Sequence, residues 1–267
     1  MTSFQKAVKY FAYAVAALLI VAILTSIIRF TGVVNKVSDD DYTLAESVKY
    51  SISSDVKSID ISIAAADFSI VHAESFSIVS NLKNITVDDS NGVLKVREEK
   101  SIGFTTNDAE LILYLPTDIV LKSADINSGF GRLVVDCLKA DDLNLSLGAG
   151  EVNISELHAI NKATINGGAG KTTINGGTLN NLDFEMGVGE LDLTSALIGE
   201  SELEFGVGKT RLTLIGSQND YSIDVDEGIG DIKIDGVSFS KDKVYGNGGN
   251  SVSIDGGVGS IDVFFQN

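Results

Sequence analysis

LNLSLGAGEVNIS, residues 143–155, returns with the same grammar as LDFEMGVGELDLT at 182–194 and LEFGVGKTRLTLI at 203–215. Apolar and polar residues alternate on both sides of a G-x-G triplet, as in Leu143, Leu145 and Leu147 before it and Val152 and Ile154 after it. Period-two alternation marks half-buried strands. Glycine between two such strands suits a sharp bend, because it tolerates positive φ and close backbone approach. Each unit therefore reads as strand, bend, strand, turn.

The triplet with an apolar centre occurs seven times, at Gly129/Gly131, Gly148/Gly150, Gly168/Gly170, Gly187/Gly189, Gly206/Gly208, Gly228/Gly230 and Gly257/Gly259. The steps are 19, 20, 19, 19, 22 and 29 residues. Gly246-Asn-Gly248 has a polar centre and falls in an insertion within the long last step, which we expect to mark a cap or a partner loop. Of 27 glycines, 24 lie at or after Gly129, so the repeat region is taken as 129–267. A unit of about 20 residues cannot bury its apolar face alone, and stacked units bury a continuous core. Asn-Gly and Asp-Gly pairs at 166–167, 175–176, 235–236 and 255–256 are expected to supply further turns.

The register has an electrostatic signature. The residues after six triplets are Arg132, Glu151, Lys171, Glu190, Lys209 and Asp231, alternating in sign. Stacked rungs would bring opposite charges side by side and disfavour slipped registers. Upstream, residues 47–128 carry further alternating strands: SIDISI at 58–63, DFSIV at 67–71, GVLKV at 92–96 and ELILYL at 110–115, the last ended by Pro116.

The N-terminus differs. Residues 10–28, YFAYAVAALLIVAILTSII, hold no charge between Lys9 and Arg29. A helix of that length spans roughly 28 Å, about the thickness of a bilayer's hydrocarbon core. The expected organisation is a cytoplasmic stub (1–9), an uncleaved transmembrane helix (10–29), a linker (30–46) and an all-β, single-stranded β-solenoid ectodomain. Lys6 and Lys9 on the stub, against Asp39, Asp40 and Asp41 beyond the helix, place the C-terminal bulk outside the cell membrane.

Net charge is −17. Lys6, Lys9 and Arg29 are three of the 20 bases, so residues 30–267 hold 17 bases against all 37 acids. Such a surface repels nucleic acid. Asp183 and Glu185 precede one triplet at the offsets that Glu202 and Glu204 occupy before the next, with Asp224 and Asp226 beyond. Stacking would gather these carboxylates on one patch, a candidate calcium site or a solvated acidic strip.

Signatures of catalysis are missing from the sequence: it has no G-x-S-x-G, H-E-x-x-H, Walker or G-x-G-x-x-G motif. Cys137, the single cysteine, excludes an intrachain disulfide and zinc sites built on cysteines, and its parity with Leu133 and Val135 reads as an inward-facing core residue. His72 and His158 lie 86 residues apart with no neighbouring His or Cys, and read as surface or half-buried residues rather than ligands. No cofactor is expected.

ELILYLPTDIVLKSADINSGFGRLVV (110–135), followed by the G-x-G-x-[apolar]-x-[apolar] units, resembles the bacterial β-strand-repeat proteins called "putative adhesins", domain of unknown function 4097. IDISIAAADFSIVHAESF (59–76) and SNGVLKVREE (90–99) resemble the start of that domain. The resemblance implies a membrane-tethered cell-envelope β-solenoid and brings no catalytic residues. A related group of envelope-stress accessory proteins implies an alternative, regulation of a membrane sensor. The expected function is a non-catalytic adhesin-like or protein-interaction surface whose partner is a protein or envelope polymer. A β-helix polysaccharide enzyme is the weaker alternative, because its cleft needs long loops. The terminal strand 260–265 is expected to cap the stack or offer an edge to a partner.

Overall fold

The computed structural model describes residues 46–98, 108–226, 228–239 and 244–267. The expected stub (1–9), transmembrane helix (10–29) and most of the expected linker (30–45) lie outside the described residues. Among those described, no helix is long and apolar enough to cross a membrane.

The described chain is all β. Its first strands are β1 (Val48–Ser51), β2 (Ser58–Ala65), β3 (Asp67–Ala73), β4 (Ser77–Ser80), β5 (Ile85–Asp88), β6 (Val93–Glu98) and β7 (Glu110–Pro116). Then come β8 (Leu121–Ile174), β9 (Gly177–Asn180), β10 (Leu182–Ile198) and β11 (Glu200–Ile215). The last are β12 (Tyr221–Asp226), β13 (Ile229–Ile234), β14 (Val237–Ser238), β15 (Val244–Gly246) and β16 (Asn250–Gln266). Every strand named from the sequence is present. β8 is one run of 54 residues because the chain keeps its ladder through three successive G-x-G bends.

Successive turns pair in parallel at the offset of the repeat. Asp183 faces Glu202 and Leu193 faces Leu212 across β10–β11, and Phe184 faces Ile165 across β10–β8. The inward aliphatics of both arms of each rung enter one core; Leu182, Phe184, Leu191 and Leu193 are at most 2% exposed. Leu133, Val152, Leu191 and Ile232 are all buried, as the stacking logic requires.

The bends stack on bare backbone. A β-carbon at Gly150 would be driven into the carbonyl oxygen of Gly131, one at Gly170 into that of Gly150, and one at Gly189 into that of Gly170. The column continues through Gly208 on Gly189 and Gly259 on Gly208, and ends at Gly230 on Gly259. The first glycines of the triplets form a parallel column, with Gly148 against Gly129 and Gly187 2.8 Å from the Gly168 oxygen by the same measure. Gly150 and Gly208 also have φ of 150° and 154°, where a side chain strains the backbone.

Beneath Gly129 and Gly131 the same bend is made by Ala64-Ala65-Ala66, with Ala65 paired to Phe130. Sequence periodicity passes over this rung because it has no glycine. The Glu98 carboxylate, at the end of β6, accepts hydrogen bonds from the Ala64 and Ala65 amides, at 2.6 and 3.1 Å.

The far end departs from sequence order. β16 pairs in parallel with β11 on one side and with β12 and β13 on the other. The rung at 221–234 therefore does not lie on the rung at 200–215; the last segment of chain is inserted between them. The strand at 260–265 is thus neither a cap nor a free edge. The caps come from the insertion: β14 pairs antiparallel with β13 and β15 with β12. Stacked rings of Tyr245 and Phe265, centroids 5.9 Å apart, clip this end together, and Phe265 also touches Tyr221 at 6.0 Å. At the other end, β7, β4 and β1 extend one arm and β6 and β5 the other.

Of the four expected glycine turns, only Asp235-Gly236 takes the left-handed conformation at both residues, with φ of 48° and 76°, closing the β13–β14 hairpin. Asn166-Gly167 and Asp255-Gly256 lie inside strands, and Asn175-Gly176 leads to the left-handed Gly177. Asn91-Gly92 makes the equivalent turn between β5 and β6. Close backbone stacking predicts that Gly150→Ala lowers stability by at least about 2 kcal/mol. Gly249, where a β-carbon meets nothing within 4 Å, should accept alanine within about 0.5 kcal/mol. Thermal melts of the two variants decide it; equal melting temperatures would contradict the account.

Candidate interaction surface

Glycines on both sides of each bend leave the central side chain nowhere to go but outward. Phe130, Val188, Val207, Val258 and Ile229 are 48–62% exposed. Register aligns them: Ala169 faces Val188, Val188 faces Val207, Val207 faces Val258, and Val258 faces Ile229. With Ala149 they form a continuous apolar ridge over seven rungs, about 29 Å long at strand spacing. Exposed side chains of this type scattered singly are ordinary; a contiguous line of them is a candidate contact surface.

The charge ladder runs beside the ridge. Glu190 faces Lys171 on one side and Lys209 on the other, as the sequence register requires. Below it the alternation gains a member, since Asp67 follows the alanine bend and its carboxylate accepts the Arg132 amide at 3.1 Å. Above it the sequence reading fails at one step. Ser260, not Asp231, faces Lys209, and Asp231 faces Ser260, because β16 has entered the stack.

The acidic residues form two columns on the outer face of the arm before the bend. Asp183 faces Glu202 and Glu185 faces Glu204, so the four candidates form one patch. The next rung is again β16, contributing Ser253 and Asp255, with Asp224 and Asp226 one place farther. Glu185, Glu204 and Asp255 line a shallow hollow beside the bends. Lys162 approaches Asp183 at 3.4 Å. Like charges directly opposite one another destabilise a sheet, so this strip opposes the ladder beside it.

Cys137 is buried at the parity of Leu133 and Val135, as the sequence reading expects. Leu138 is buried as well, so the inward parity switches between the two residues. The 19-residue offset from Gly131 to Gly150 sets Cys137 beside Glu156, two residues from His158. Sequence reading left His158 without a ligating neighbour; stacking supplies one. Burial raises the thiol's pKa above its ordinary value, Lys139 works against that, and Glu156 adds to it. His72 stays half-buried on β3, away from this cluster.

Rungs stacked through glycine bends, with an outward ridge and charge ladders, define the class of this protein as a β-strand-repeat solenoid. The chain belongs to the DUF4097 toastrack family, which matches residues 48–253. No curated protein matches it. Among solved structures it is similar to a "putative adhesin" from Bacteroides fragilis, at 12% identity and a TM-score of 0.48, covering 82% of this chain and 96% of that one. It is also similar to a "putative adhesin" from Parabacteroides distasonis, at 13% identity and TM-score 0.43 over 83% and 98% of the two chains. A "putative cell adhesion protein" from Clostridium sporogenes shares 12% identity at TM-score 0.33 over 83% and 99%.

The two electrostatic features predict opposite outcomes. Glu204→Gln should raise the melting temperature at low salt, by about 0.2–1 kcal/mol of stability, and the gain should fade as salt screens the column. Lys171→Glu, which sets an acid opposite Glu190, should lower it by a few tenths of a kcal/mol, roughly the worth of an exposed pair, and the loss should shrink as salt is added. Melts across an ionic-strength series check both; a salt-independent loss in Glu204→Gln would contradict the first, and an absent or salt-independent loss in Lys171→Glu the second.

Proposed function

We propose that this protein is a non-catalytic cell-envelope module, tethered by the helix at residues 10–29, whose solenoid serves as an adhesin-like protein-interaction surface. The observation that carries the reading is the apolar ridge of bend side chains. It is exposed, in register and rigidly backed by stacked backbone, so docking costs little conformational entropy. Its long axis follows the solenoid, as extended binding surfaces of repeat proteins do. Aliphatic and aromatic side chains favour a protein partner with its own apolar strip over a hydrated polymer. The flanking charges set the partner's register more than its affinity.

The orientation follows from Lys6 and Lys9 on the short N-terminal side and the aspartates beyond Arg29. A protein partner on the outer membrane surface also accommodates the second reading, in which the solenoid holds a membrane sensor in its resting state. Both readings use the same ridge and differ in the molecule bound. A photo-crosslinking residue at Val207 in native membranes should capture a discrete envelope protein, and Val188→Asp with Val258→Asp, on the two flanking rungs, should abolish the capture without lowering the melting temperature. A sensor kinase among the products favours regulation; another surface protein favours adhesion. Wall polymer alone, or capture unaffected by the aspartates, would contradict the reading.

A further inference from the structure

Cys137, Glu156 and His158 come from adjacent rungs and present a thiol, a carboxylate and an imidazole to one point. All three ligand atoms lie within 4.8 Å of one another. The His158 Nε2 to Glu156 Oε2 separation is 3.5 Å, close to the spacing of about 3.5 Å between ligands on one tetrahedral zinc ion with bonds of 2.0–2.3 Å. Glu156 and His158 point the same way because they are two residues apart on one strand. Cys137 joins them from the rung beneath. The acidic columns differ in kind: among the described residues, no three of those carboxylates converge in this way.

We propose that Cys137, Glu156 and His158 form a site for Zn²⁺, with three protein ligands and the fourth position open to water or a partner's side chain. The donor set suits a borderline-soft ion: thiolate and imidazole select zinc over calcium or magnesium, which take oxygen ligands alone. Cys137 is covered while Glu156 is exposed, so the ion enters from the carboxylate side. Binding forms a metal–sulfur bond and releases the thiol proton to solvent, with no redox change. The ion would also join two neighbouring rungs, so occupancy should stiffen the stack.

Cobalt(II) is the probe, because its thiolate charge-transfer absorption reports the sulfur ligand directly. The reduced, full-length chain in detergent should bind one equivalent, with a charge-transfer band that Zn²⁺ displaces and a higher melting temperature in Zn²⁺. Cys137→Ser should lose the band. The partly exposed positions give variants that keep the fold: Glu156→Gln and His158→Gln should each weaken binding at least about tenfold, with unchanged circular dichroism. Absence of a saturable band in the unaltered chain, or affinity unchanged in Glu156→Gln and His158→Gln, would overturn the site.

Discussion

The structure depends on backbone meeting backbone at the bends. At every G-x-G corner above the first, the second glycine occupies space that a β-carbon would contest with the carbonyl oxygen of the rung below. Strands elsewhere in a sheet keep side chains out of this direction by pointing them to the two faces. A sharp corner cannot, so the corner residue must have no side chain. Once that contact is made, register is settled for both arms, and the buried aliphatics, the charge ladder and the outward bend residues follow from it.

A stack built this way has two ends, and exposed strand edges invite unwanted pairing. Short antiparallel strands close both. The distal closure uses the chain itself: after the rung at 221–234 the chain forms the caps β14 and β15, then threads β16 back between that rung and β11. The outer rung is held through the last segment of sequence rather than through its predecessor. The Tyr221, Tyr245 and Phe265 rings fasten the cap to the inserted strand.

Much of this was legible before any coordinates. Gly129 to Gly208 recur at steps of 19–20, and their flanking alternation identifies rung, bend and parity. The break comes where the steps lengthen to 22 and 29, because a period measures distance along the chain and not the order in which rungs stack. One residue hinted at it: Ser260 is uncharged where six other rungs carry a charge after the triplet. The bend at Ala64-Ala65-Ala66 is not marked in the sequence because it carries no glycine, and only its pairing with Phe130 reveals it. Cys137 and His158 are 21 residues apart, one rung plus two, so their approach emerges only after register is known. The acidic columns were visible from offsets alone, although Asp255 entered them from the inserted strand.

The same geometry supports the functional reading, since the constraint that removes side chains around each bend turns the central residue outward and makes a ridge of it. The claim underlying all of this is the spatial order of the bends, with 206–208 lying against 257–259 and the latter against 228–230. Engineered cysteines in a Cys137→Ser background test it directly, because neighbouring rungs fall within disulfide reach and alternate rungs do not. Val207→Cys with Val258→Cys should oxidise readily to an intrachain disulfide, and Val207→Cys with Ile229→Cys should not. Efficient closure of the 207–229 pair with failure of the 207–258 pair would mean that the rungs stack in sequence order, and would contradict the account.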